Sequence, residues 1–192
     1  MSKLAVLFPG VGYTHDKPLM YYSRKIAMDN GYETMCISYT GLPDNIKGNA
    51  EKKKQALSIA YEQACEQLKD VDFSKYEEVI IIGKSIGSVV AAKYQEEHIN
   101  SARLILYTPV EATFRFSIND AVAFIGDSDS WSDLETVKAL AGKENVPLHI
   151  YAGCNHSLEV SGSVSDNLEI LKDVMDKTAE YFKRFCVSEK EL

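Results

Sequence analysis

Val79-Ile80-Ile81-Ile82-Gly83-Lys84-Ser85-Ile86-Gly87-Ser88 is the stretch on which the fold turns. Four consecutive β-branched residues suit a strand buried on both faces, the kind found inside parallel sheets. Gly83, Ser85 and Gly87 then follow at G-x-S-x-G spacing, and Ile86 to His98 reads as a helix. A serine on so sharp a strand-to-helix turn lifts its hydroxyl above the sheet. Side chains two positions away would collide with the turn, and glycine removes those Cβ atoms. The start of the helix also aims backbone N–H groups at developing negative charge. The plainer reading is a glycine-rich turn that only packs a helix on the sheet. The strand before and the helix after argue against it. A phosphate loop is excluded, because it needs glycine five residues before Gly83, where Glu78 stands.

Outward from this stretch, similar apolar runs recur: Leu4–Phe8, Thr34–Tyr39, Leu104–Tyr107, Val122–Ile125 and Leu148–Tyr151. Helical patterns separate them, near 18–29, 49–70, 86–98, 132–143 and 163–186. Leu57, Ala60, Ala64 and Leu68 follow the 3.6-residue period in the second helix, and Leu168, Leu171, Met175, Phe182 and Phe185 in the last. Ser132 and Glu135 are spaced as a capping box for the fourth. Residues 108–120 lack a helix. Strict alternation implies an α/β fold, a doubly wound, mainly six-stranded parallel sheet with helices on both faces. Ligands of such sheets bind beyond the carboxyl ends of the strands.

The 192 residues carry a net charge of −7, with 45% hydrophobic and 26% charged residues. That length implies one domain over residues 1–192, large enough to bury about 70% of its unfolded surface without staples. The composition argues against disorder, and the acidic balance against nucleic acid or anionic membrane as the main partner. No secretory leader pattern or 18-residue apolar stretch is present. Cys36, Cys65, Cys154 and Cys186 are scattered without a Cys-x-x-Cys pair and read as reduced thiols. A cytoplasmic protein is expected. Lys52-Lys53-Lys54 reads as a solvated helix face.

The fifth strand leads into Gly126-Asp127-Ser128-Asp129-Ser130-Trp131, and the sixth into Gly153-Cys154-Asn155-His156-Ser157. The chain order is therefore Ser85, then Asp127 or Asp129, then His156, all above one sheet edge. Asp127 as the acid would leave Asp129 to cap the next helix.

On these residues the chain resembles the α/β-hydrolase superfamily, particularly its small lidless serine hydrolases. The resemblance runs from Leu4 to the last helix and rests on the elbow and the Ser–acid–His order. It implies an oxyanion loop after the first strand, where Pro9-Gly10-Val11-Gly12 stands without the family's usual histidine. It selects Asp129, in Gly-x-x-Asp spacing, as the acid. Ser85 is then the nucleophile, His156 the base, and the N–H groups of Val11 and Ile86 the oxyanion donors. No cofactor or metal is implied.

The connection after Tyr107 leaves no room for a cap domain, so the site is expected to be open. Phe114 and Phe116, with Pro109 and Val110, offer one apolar wall, and Tyr13 and Trp131 offer others. A small carboxylic ester is the expected substrate, with thioester and amide inside the same chemistry. Two readings compete. One is a catalytically silent interaction protein on this fold, against which the complete triad speaks. The other is a flavodoxin-like binding domain, whose signals after the first strand are missing from Pro9–Tyr13. Lys84 and His15 border the site without an assigned role. His149 reads as structural, His98 as a helix end, and Cys154 as a small buried filler.

Overall fold

The computed structural model describes residues 2–184. Phe185 and Cys186, which close the expected last helix, lie outside the described residues. Six strands, β1 (Ser2–Phe8), β2 (Tyr32–Cys36), β3 (Tyr76–Lys84), β4 (Arg103–Tyr107), β5 (Ala121–Gly126) and β6 (Leu148–Tyr151), form one sheet in the order β2-β1-β3-β4-β5-β6. Every neighbouring pair is parallel. The helices are α1 (Pro18–Asp29), α2 (Ala50–Leu68), α3 (Ile86–His98), α4 (Leu134–Lys143) and α5 (Val164–Lys183). Short 3-10 turns occupy Phe73–Lys75 and Glu111–Arg115.

The period of two along the strands sorts the core into two layers. Leu4, Val6 and Phe8 of β1 and Val79 and Ile81 of β3 face the helices α2, α3 and α4, meeting Ala60, Ala64, Val90 and Val137. Ala5, Leu7, Ile80 and Ile82 face α1 and α5, meeting Leu19, Met20, Val174 and Phe182. Burying both faces explains why these strands are apolar without alternation. The chain leaves β1 for β2 on one side and returns to β3 on the other. The switch therefore falls between β1 and β3, and it opens a crevice at their carboxyl ends.

Two expectations shift. β2 ends at Cys36 rather than Tyr39, because its ladder with β1 ends at the pair Leu7–Cys36. Beyond it, glutamine side chains of α2 replace the ladder: Ser38 N–H donates to Gln67 Oε1 at 3.0 Å and Thr40 N–H to Gln63 Oε1 at 2.9 Å. At α4 the cap is Asp133, which accepts from Thr136 N–H at 2.9 Å, whereas the Ser132 hydroxyl turns to the Pro109 carbonyl. The carboxylate one position later meets the free N–H of the first turn, so the expected box with Glu135 does not form.

Among the described residues, no helix is long and apolar enough to cross a membrane.

Candidate active site

Ser85 sits between β3 and α3 with φ 56° and ψ −120°, a conformation that costs a residue with a Cβ roughly 1–3 kcal/mol. The surroundings enforce it. Its N–H donates to the Tyr107 carbonyl at 3.0 Å, and its carbonyl accepts from Ser88 N–H at 2.9 Å and the Ser88 hydroxyl at 2.6 Å. The two motif glycines are required by close approach. A Cβ on Gly83 would stand 2.7 Å from the Gly87 carbonyl oxygen, and one on Gly87 only 2.1 Å from that of Phe8. The elbow is thus wedged against the end of β1.

His156 Nε2 lies 2.7 Å from Ser85 Oγ, and His156 Nδ1 lies 2.7 Å from Asp129 Oδ2. A carboxylate accepts only, so Nδ1 carries the proton and Nε2 is left to accept from the serine. The Asp129 side chain is almost wholly buried, and its other oxygen accepts from Trp131 N–H at 2.9 Å. Asp127 has a different task. Its Oδ1 accepts from Gly153 N–H at 2.7 Å, tying the β5 loop to the loop that carries His156. The Trp131 ring stacks on His156, with centroids 5.1 Å apart. Burial pushes the His156 pKa below its ordinary value. The hydrogen bond that Nδ1 donates to Asp129 opposes this, while the charges of Lys84 and Lys47 add to it.

Lys84 is 1% exposed, because the β3 period places it on the face of Ile80 and Ile82. Its Nζ donates to Thr108 Oγ1 at 2.7 Å and to the His156 carbonyl at 2.8 Å, and lies 4.9 Å from the centre of the Tyr13 ring. Burial lowers its pKa to about 7, with the Asp129 charge opposing. The alternation of β3 was the signal that could have found this contact.

Gly10 lies against Ser85, since a Cβ there would meet Ser85 Cβ at 3.3 Å. Gly10 and Tyr13 close a tight turn with two backbone hydrogen bonds of 3.2 Å, and among the described residues Val11 at its corner has no backbone partner for its N–H. Ile86 opens α3, so its N–H has no acceptor within the helix. Ile86 directly follows the serine, and Val11 follows Gly10, which lies against it.

The expected walls sort differently. Trp131 lines a groove of about 340 Å³ with Ser85, Ile86, Val89 and Leu57. Phe114 and Phe116 do not line it; Phe114, inside the 3-10 turn, is buried in the core cluster of Leu106 and Val90, and Phe116, in extended backbone just after the turn, packs against that cluster. Of the expected wall Val110 does line the groove, joined by Arg115 from the same connection. The Tyr13 hydroxyl accepts from Leu19 N–H at 3.2 Å, and Tyr13 borders a separate hollow with Leu158 and Leu171. His15 Nε2 pairs with the Ile37 carbonyl, and Cys154 is fully buried. His149 stacks on Phe124, and His98 Nε2 meets the Tyr61 hydroxyl. Among the described residues, no three His, Cys, Asp or Glu side chains cluster to hold a metal.

Solved structures share this architecture. An esterase from Pyrococcus furiosus is 15% identical with a TM-score of 0.66, over 95% of this chain and 83% of that one. A lidless α/β serine hydrolase from Xanthomonas campestris is 13% identical with a TM-score of 0.62, over 95% and 81%. A Butyrivibrio proteoclasticus protein solved with ferulic acid is 13% identical with a TM-score of 0.67, over 93% and 87%. At such identities the likeness is one of fold. No curated protein sequence matches the chain. The alpha/beta hydrolase domain family matches residues 2–186, which takes in the elbow, both loops and all six strands. The chain therefore belongs to the α/β-hydrolase domain family.

Proposed function

We propose that the chain is a serine hydrolase of small carboxylic esters, with thioesters or amides open to the same chemistry. The observation that carries this reading is the unbroken hydrogen-bond run from Asp129 through His156 to Ser85, at 2.7 Å for each step. Ser85 Oγ attacks the acyl carbon while His156 Nε2 takes its proton. Asp129 holds the imidazole tautomer and stabilises the imidazolium without taking the proton. The N–H groups of Val11 and Ile86 stabilise the oxyanion, each worth about 3–4 kcal/mol. The intermediate collapses, His156 returns the proton to the leaving oxygen, and water activated by the same histidine releases the acid.

The open groove beside Ser85 supports an extended or small acyl group, since the connection over residues 108–120 carries only a short 3-10 turn. Cys36, Cys65 and Cys154 are free thiols, which supports a reducing, cytoplasmic setting. A fluorophosphonate probe tests the reading. It should label the intact protein at Ser85, and Ser85→Ala should abolish labelling. An unlabelled intact protein, or equal labelling of Ser85→Ala, would show the reading to be wrong.

A further inference from the structure

The groove beside Ser85 is lined by apolar and cationic side chains together. Ile86, Val89, Leu57 and Trp131 form the apolar part. Lys53 and Lys54, from the first turn of α2, and Arg115, from the 3-10 turn, line the same groove. Lys53 stands one turn before the buried Ala56, so the helical period turns it toward this edge of the sheet rather than away from the fold. Lys47 joins them at the Trp131 end, its Nζ 5.6 Å from the ring centroid and 2.6 Å from Ser130 Oγ.

Among the described residues the one acidic side chain lining the groove is Glu111, and its Oε1 already accepts from Asp133 N–H at 2.7 Å. None of Lys47, Lys53, Lys54 and Arg115 has a carboxylate within ion-pair distance among the described residues. Elsewhere on this acidic chain, at net −7, Lys69, Lys138 and Lys172 each pair with a carboxylate within one helical turn. Four unpaired cations around one concave surface focus a positive potential where a ligand would lie. An exposed lysine alone would gain little, but Arg115 adds a planar fork that fits carboxylate or phosphate oxygens in pairs.

Resting on the serine hydrolase reading, we propose that this groove selects esters whose chain ends in an anion, a carboxylate or a phosphate. The apolar segment runs along Ile86, Val89 and Leu57, and the anionic end reaches Lys53, Lys54 and Arg115. The scissile carbonyl meets Ser85.

The test compares para-nitrophenyl esters of equal chain length ending in a methyl, a carboxylate or a phosphate, with fluorophosphonate labelling of Ser85 measured in parallel. The intact protein should favour an anionic ester about tenfold in kcat/KM, mainly through KM, since each exposed pair is worth a factor of about five. The preference should shrink toward one as ionic strength approaches about 1 M, where the Debye length is about 3 Å. It should invert in Lys53→Glu/Arg115→Glu, and Lys54→Gln should weaken it without reversing a charge. The better of the two anionic esters identifies which anion the rim takes. A labelled Ser85 that prefers the neutral ester, turns over neither class, or shows a preference insensitive to salt overturns this inference and leaves the serine hydrolase standing. An unlabelled Ser85 overturns both.

Discussion

Lys84 donates its ammonium to the backbone carbonyl of His156 at 2.8 Å, although the two residues lie 72 positions apart. The side chain immediately before Ser85 thereby holds the loop that brings His156 to the serine. Its second bond, to Thr108 Oγ1, ties the end of β4 into the same point. A buried lysine is expensive, and this one keeps two oxygen partners and an aromatic face, which offsets part of its desolvation.

Lys84→Met preserves much of the stem and removes the charge and its donors. It should lower kcat for a para-nitrophenyl ester about tenfold or more while KM moves less than about twofold, since a hydrogen bond from a charged group is worth about 1.5–3 kcal/mol. The acid limb of the pH profile should also move upward, because the Lys84 charge holds the His156 pKa down. An unchanged kcat with an unmoved limb would reduce Lys84 to packing.

The pH dependence of the intact protein follows from His156. Catalysis needs the neutral imidazole, and burial makes the protonated form less favourable in the fold. Activity should therefore persist as pH falls below the ordinary histidine value of about 6.5 and be lost only at more acid pH. A kcat/KM profile with its acid limb above about 6.5 would contradict the desolvated environment.

Asp129→Asn should reduce kcat about 10⁴-fold, because an amide reverses the tautomer that the carboxylate enforces. Asp127→Asn should cost far less activity. Its loss is a charge-assisted bond to Gly153 N–H, expected to lower unfolding free energy by about 1–2 kcal/mol. Ester turnover and chemical denaturation on the two variants separate these effects, and a reversed order of activity would move the acid to Asp127.

Glycine substitutions test the elbow as a packing constraint. Gly87→Ala would place a methyl group 2.1 Å from the Phe8 carbonyl oxygen and 2.5 Å from that of Pro9, both backbone atoms. It should destabilise the fold by about 3 kcal/mol or more. Gly142→Ala meets nothing within 4 Å in α4 and should stabilise by about 0.5 kcal/mol. Melting temperatures of the two variants should move in opposite directions.

Residues that obey local rules could be read before any coordinates. The boundaries of α1 and α3 match their patterns, with Pro18 opening one and the elbow opening the other. The apolar pattern puts β2 at Thr34–Tyr39, whereas the strand spans Tyr32–Cys36, because its extent depends on where β1 runs beside it, a distant constraint. The α4 cap falls one residue later than the capping-box spacing implies, because Ser132 has an alternative partner at Pro109, on another loop. Phe114 and Phe116 turn to the core and not to the groove, since so short a 3-10 turn has no period long enough to announce its inner face and Phe116 follows it directly.

The chain's own letters were enough for the parallel α/β sheet, the elbow at Ser85 and the order serine, acid, histidine. Each follows from a short-range requirement: strands buried on both faces need unbroken apolar runs, and a strained turn needs glycine beside it. Folding decided that Asp129 rather than Asp127 meets His156, that Lys84 pins the histidine loop, and that Lys53, Lys54 and Arg115 face one groove. Those relations join residues far apart in sequence. Sheet register and loop paths set their distances, and no local pattern encodes a distance across the fold.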